Sequence, residues 1–150
     1  ADYYPKFALK SMLMKESALD NEQAEQLLKQ ILNDPDKVSH LMGIIKSMSP
    51  FSLRKNGLEN DLSQLAAIRS LPLARIKAPT LIIHGTADGD VPFHHAEYAA
   101  SMIPNAELLP VTEGFHILTL SDQSEAIARR RGQMLLTHTP HGYARKGNKN

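Results

Sequence analysis

Apolar residues recur at helical spacing through the first part of the chain. Ala24, Leu27, Leu28, Ile31 and Leu32 make one stripe, the signature of a helix with a single buried face. Asp34-Pro35 supplies a cap and a first-turn proline for the next helix, whose apolar face is Val38, Leu41, Met42, Ile45 and Met48 and which Ser49-Pro50 ends. A further helix is predicted from about Leu58 to Leu71, with Leu58, Leu62 and Leu65 inward. No strand intervenes, so residues 1–70 read as a helical block with its connection to the rest of the chain.

The pattern changes after Pro72. Thr80-Leu81-Ile82-Ile83-His84 is a short apolar run without alternation, bounded by Pro79 and Gly85, as expected of a parallel strand covered on both faces. Pro92 opens a helix predicted to run through about Met102, with Ala96, Ala99, Ala100 and Ile103 inward, and Pro104-Asn105 breaks it. Ala106 to Val111 is a second apolar run. A last helix is predicted from Ser121 or Asp122, with Ile127, Met134 and Leu135 buried and Arg129, Arg130 and Arg131 on the wet side. Strand, helix, strand, helix with short connections means parallel strands joined by a right-handed crossover. Two such strands make no stable sheet alone, so further strands are expected beside Leu81–Ile83 and the α/β layer is expected to be larger than this chain.

Composition narrows the partners more than the chemistry. The 150 residues are 42% hydrophobic and 22% charged, enough for one domain. Lys and Arg number 17 against 16 Asp and Glu, so no basic field draws the chain to nucleic acid or to an anionic membrane. The absence of cysteine removes disulfides, thiolate catalysis and cysteine-based zinc sites. No apolar run approaches the length of a membrane span, and Tyr3, Tyr4, Pro5 and Lys6 break up any signal-peptide core, so a cytoplasmic location is the default. The chain opens without methionine in what reads as mid-helix sequence, and an upstream segment is expected. Residues 139–150 read as a flexible basic tail.

The candidate chemistry lies just past the two strands. Asp88 follows Gly85 by three residues, at the strand's carboxyl end, where open α/β sheets place their sites. An acid there also serves as a helix cap; Asp90, two residues before Pro92, is the better capping candidate and leaves Asp88 free. His116 follows the second strand in E-G-F-H, with Gly114 suggesting a backbone conformation that other residues resist. An imidazole moves a proton both ways near neutral pH, and a carboxylate beside it fixes the tautomer and stabilises the imidazolium.

The stretches P-T-L-I-I-H-G-T-A-D-G-D-V-P, I-P-N-A-E-L and E-G-F-H resemble the C-terminal segment of the α/β-hydrolase family of serine esterases, lipases and related enzymes. The likeness is strong from about Ile76 to Leu118 and looser to Thr137. It implies that Asp88 is the triad acid and His116 the triad base. It also implies that the two strands are the last two of the family's sheet, that residues 71–138 are the C-terminal part of the core, and that the helices from Ala1 to about Ser49 form a cap over the pocket. Many members carry glycine before the histidine where this chain has Phe115.

The nucleophile is the larger departure. A G-x-S-x-G elbow needs glycines four apart with serine between them, and the only pair so spaced, Gly85 and Gly89, brackets Ala87. No serine of the chain lies in such a setting, and the family's oxyanion-hole loop is also missing. The serine is therefore expected upstream of Ala1, and the chain alone is expected to be inert in acyl transfer.

Other residues invite weaker readings. Neighbours on a helix point in different directions, so His94-His95 is not expected to hold a metal; His84 is expected against the sheet edge and His40 at the surface. Arg54, Gly57, Asn60 and Asp61 read either as a polar contact near a pocket mouth or as a buried Arg–Asp pair tying the helices to the core, the second being preferred. Met12, Met14, Met42 and Met48 read as core, or else as the lining of an apolar pocket.

The expected activity is hydrolysis of a carboxylic ester or similar small apolar substrate, with no cofactor and no metal. Its partners are a small-molecule substrate and the missing N-terminal half of the hydrolase core, with a homo-oligomer left open. Two rivals stay open. One is an aspartate nucleophile, as in dehalogenases and epoxide hydrolases; the other is a non-catalytic hydrolase-like binding module.

Overall fold

The computed structural model describes residues 6–15, 17–48 and 50–139. Readings that fall on the tail beyond residue 139, or on the side chains of Met12 and Met48, lie outside the described residues.

Three helices come first: α1 (Lys6–Lys15), α2 (Asn21–Leu32) and α3 (Pro35–Met48). Asp20 opens α2 with a capping box, its side chain accepting from the backbone of Glu22 and Gln23 while the Gln23 side chain accepts from the Asp20 N–H. Asp34 Oδ1 accepts from the N–H groups of Asp36 and Lys37 at 3.0 and 3.1 Å, the cap expected of Asp34-Pro35. The predicted stripes close on one another: Leu28 and Ile31 of α2 meet Leu41 and Ile45 of α3 and Leu9 and Leu13 of α1.

The α/β part comprises β1 (Thr80–Gly85), α5 (His94–Met102), β2 (Ala106–Val111) and α6 (Ser124–His138). The strands pair in parallel from Thr80 beside Ala106 to Gly85 beside Val111, so both carboxyl ends reach one rim. They form a two-stranded sheet among the described residues. Leu81 and Ile83 are only half-buried, and with Met134 and Leu135 they line a cavity of about 420 Å³. Ala96 and Ile103 of α5 are buried as predicted, and Ala99 and Ala100 half-buried.

One hydrophobic cluster joins the two halves. Phe115 and Leu120, from the connection after β2, pack with the leucines and isoleucines of α1, α2 and α3. The helical block and the loop that carries His116 therefore share a core. Leu27, Leu32, Met42 and Ile117 pack against that core half-buried.

Several expectations are corrected. The helix predicted from Leu58 to Leu71 is α4 (Lys55–Ala67), and every residue of it is exposed. Leu58, Leu62 and Leu65 are 43, 56 and 63% exposed, so an apolar stripe is present but is left largely uncovered. The spacing of a stripe defines a face, but only another surface can bury it. Leu135 is likewise 63% exposed, for the same reason, while Ile127 and Met134 are half-buried. Arg129 pairs with Glu125 and stays exposed, whereas Arg130 lies across the sheet edge in a two-pronged contact with Glu107 and is half-buried. Met14 is exposed and Met42 half-buried, so these two methionines are not a common lining. Arg54, Gly57, Asn60 and Asp61 are all exposed; Asn60 contacts Asp61, and no Arg54–Asp61 pair forms among the described residues.

Candidate active site

The two strand-end loops are braced against each other before any side chain is considered. Thr86 N–H donates to the Val111 carbonyl and Ala87 N–H to the Gly114 carbonyl, both at 2.9 Å, and Thr86 Oγ1 accepts from Glu113 N–H at 2.9 Å. A third stretch of chain, just after α1, clamps the first loop from outside. Ala18 N–H donates to the Ala87 carbonyl at 2.9 Å, and Ser17 forms an antiparallel bridge with Asp88. Gly89 lies so close that a Cβ there would stand 2.5 Å from the Ser17 carbonyl carbon.

Glycine at 114 is required by space. A Cβ would stand 2.8 Å from both a Leu118 methyl and a Val111 methyl, and the left-handed residue of this loop is its neighbour Glu113, at φ 56°. The expectation of an unusual backbone at Gly114 is thus corrected to a packing requirement there and a strained conformation one residue earlier.

On this frame Asp88 and His116 meet. His116 Nδ1 lies 3.0 Å from Asp88 Oδ2 and 3.3 Å from Oδ1. The Asp88 side chain is 5% exposed, the imidazole 39%. Asp88 Oδ1 also accepts from the N–H groups of Asp90 and Val91, at 2.9 and 2.8 Å. This corrects the division of labour expected between the two aspartates. Asp88 itself closes the turn, a carboxylate having lone pairs enough for the backbone and for the histidine together. Asp90 caps no helix among the described residues, and α5 begins without a side-chain cap.

Burial alone would raise the Asp88 pKa. The Val91 N–H, the His116 side chain, the Asp90 N–H and the charge on His116 outweigh it and hold the carboxyl below its ordinary value. An ionised carboxylate facing Nδ1 assigns the proton of a neutral imidazole to Nδ1 and leaves a lone pair on Nε2.

Two contacts went unforeseen. His84 Nε2 lies 3.7 Å from Asp88 Oδ2, the oxygen that His116 Nδ1 also approaches, and Asp90 Oδ2 lies 3.7 Å from His116 Nε2. The sequence signals were the spacing of four from His84 to Asp88 across a tight turn and the pairing D-G-D. The His94 and His95 rings lie 4.4 Å apart, centroid to centroid, closer than divergent helix neighbours would be. No metal-binding group of three or more His, Asp or Glu occurs among the described residues. His40 is exposed, with Nε2 2.9 Å from Thr119 Oγ1. A cavity of about 360 Å³ beside the site takes in Gln23, Leu27, Glu113 and Phe115 but neither Asp88 nor His116.

Among solved structures, this chain is similar to an alpha/beta hydrolase fold protein from Nakamurella multipartita, at 34% identity and a TM-score of 0.77, over 87% of this chain. The chain has the α/β-hydrolase fold. It spans 46% of the length of that relative, so the hydrolase fold there extends well beyond the part matched here. No protein-family model and no curated protein matches. In this hydrolase-fold chain the parallel pair β1 and β2 delivers an acid and then a histidine to one rim, and no helix among the described residues is long and apolar enough to cross a membrane.

Proposed function

We propose that this chain carries the acid and the base of a Ser-His-Asp hydrolase acting on carboxylic esters or similar small apolar substrates, the serine lying upstream of Ala1. Residues 1–70 would then serve as a cap with its connection, and residues 71–138 as the C-terminal part of the core. The contact of His116 Nδ1 with the buried, ionised Asp88 at 3.0 Å carries this reading.

The chemistry rests on the two imidazole nitrogens. His116 Nε2 takes the proton of the serine hydroxyl as the oxygen attacks the substrate carbonyl, and the positive charge gained by the ring is stabilised by Asp88. The same Nε2 proton then goes to the leaving alcohol, and a water repeats the cycle to release the acid. The Asp88 carboxylate stays ionised throughout, which its depressed pKa supports. Acid–base work of this kind is worth roughly 10²–10⁴-fold in rate.

The test is made on the chain joined to the segment encoded before Ala1. Covalent labelling by a fluorophosphonate probe together with ester hydrolysis is expected. His116→Ala should nearly abolish turnover and Asp90→Ala should leave most of it, because the Asp90 contact is exposed and longer than a hydrogen bond. Equal tolerance of both substitutions removes the assignment. Hydrolysis without labelling points instead to an aspartate nucleophile.

A further inference from the structure

The acid is held from a side that the chemistry above does not use. The Ala87 carbonyl, in the peptide that leads into Asp88, accepts the Ala18 N–H at 2.9 Å, while the Ala87 N–H donates to the Gly114 carbonyl at 2.9 Å. The residue before the acid is therefore tied at once to the loop of the base and to the connection between α1 and α2. Ser17 bridges Asp88 itself, and the two stretches lie so close that a Cβ at Gly89 would stand 2.5 Å from the Ser17 carbonyl carbon.

Ser17 is 5% exposed, and its hydroxyl donates to the Leu13 carbonyl at 2.6 Å. That carbonyl is among the last four of α1, which lack partners within the helix, so the hydroxyl satisfies it and fixes the bridging residue to the end of α1. Leu13 is fully buried, in the core that also takes Phe115, the residue before His116. The helical block thus meets the acid through a backbone bridge and the base through an apolar core. Two attachments of different chemistry converge on one support.

We infer that Ser17 and Ala18 are positioning residues for Asp88, and that acid and base are in register only while the helical block is seated on both loops. For its catalytic meaning the inference rests on the reading of Asp88 and His116 as acid and base. A block fixed in this way is no lid that swings clear: lifting it breaks the Ala18–Ala87 hydrogen bond and removes the packing around Phe115 together.

Ala18→Pro removes the N–H that reaches Ala87, and the extended backbone of a bridging residue at 17 is what a following proline favours. Amide hydrogen exchange on the chain reads the result. Protection of the Ala87, Asp90 and Val91 N–H groups, the last two held by the Asp88 carboxylate, should fall relative to that of Leu28 and Ile31 in the core. The expected fall is on the order of two- to tenfold, the loss of one hydrogen bond. Equal loss at all five positions, or no loss, overturns the inference.

In the chain joined to its upstream segment, the same substitution should lower kcat roughly ten- to hundredfold with KM nearly unchanged, since a displaced acid affects proton transfer and not substrate binding. An unchanged kcat, or an effect confined to KM, also overturns it. Should Ala18→Pro unfold the chain, Gly89→Ala, whose methyl group pushes Ser17 away, takes its place and the same comparisons decide. Absence of hydrolysis in the unsubstituted extended protein removes the functional reading. The exchange measurement then still decides whether Ser17 and Ala18 hold the Asp88 loop, so the two failures are distinguishable.

Discussion

Gly85 and Gly114 touch where the two strand-end loops cross: a Cβ on Gly85 would stand 2.1 Å from the Gly114 carbonyl oxygen. That same carbonyl accepts the Ala87 N–H, so the crossing ties the residue before Asp88 to the turn that leads into His116. The separation of acid and base is therefore set by backbone against backbone.

Gly85→Ala should destabilise the chain by about 1–3 kcal/mol, the range for overpacking, and weaken the Asp88–His116 contact, because backbone must move to admit the methyl group. Gly43→Ala is the comparison. It lies in α3 with nothing within 4 Å of its would-be Cβ, and should stabilise by about 0.5–1 kcal/mol. Urea denaturation of both variants checks the signs; a chain that accepts alanine equally at the two positions does not contain the crossing.

Phe115 is 2% exposed and packs in the core shared with α1, α2 and α3, directly before the histidine. Phe115→Ala should cost about 3–5 kcal/mol. Phe115→Gly, the residue many hydrolases carry there, should cost at least as much in this chain. A denaturant midpoint within error of the unchanged protein would show that the helices do not seat on this side chain.

Ionised Asp88 favours the folded state, since its folded pKa lies below the ordinary value. The contribution is complete above the ordinary carboxylate range, about pH 4, and is lost as pH falls through that range to the lower folded value. Asp88→Asn should therefore lose less stability between pH 7 and pH 3 than the unchanged chain. Urea midpoints at the two pH values measure it, and equal losses would mean that the carboxylate is not held as described.

The outward leucines of α4 should tolerate charge. Leu62→Glu with Leu65→Glu is expected to change stability by less than about 0.5 kcal/mol each, as exposed positions do, whereas Ile31→Ala, fully buried, should cost about 2–5 kcal/mol. Thermal unfolding separates the cases. A large loss at Leu62 or Leu65 would show that this face is covered in solution.

The elements and the rim were legible in the order of residues. Asp34-Pro35 capped a helix, Pro79 and Gly85 bracketed a strand, and the parallel pairing came from the connection between two apolar runs. Asp88 and His116 could be singled out because each stood a few residues past a strand end. The role of Asp90 was misread because a cap is a choice between nearby acceptors, and Asp88 reaches the Asp90 and Val91 N–H groups while still facing the histidine. The α4 stripe was misread because periodicity names a face without naming what covers it.

Helices and strands depend largely on residues within a turn or two of one another, and their order along the chain was readable from the sequence alone. It likewise dictated that an acid and a histidine would be carried past neighbouring strand ends. Tertiary packing decided that Ser17 would clamp the Asp88 loop, that Phe115 would be buried among α1, α2 and α3, and that His84 and His116 would address one carboxylate oxygen. Those contacts join residues through backbone crossings and a common core, and their distances come from how the layers close on one another in space.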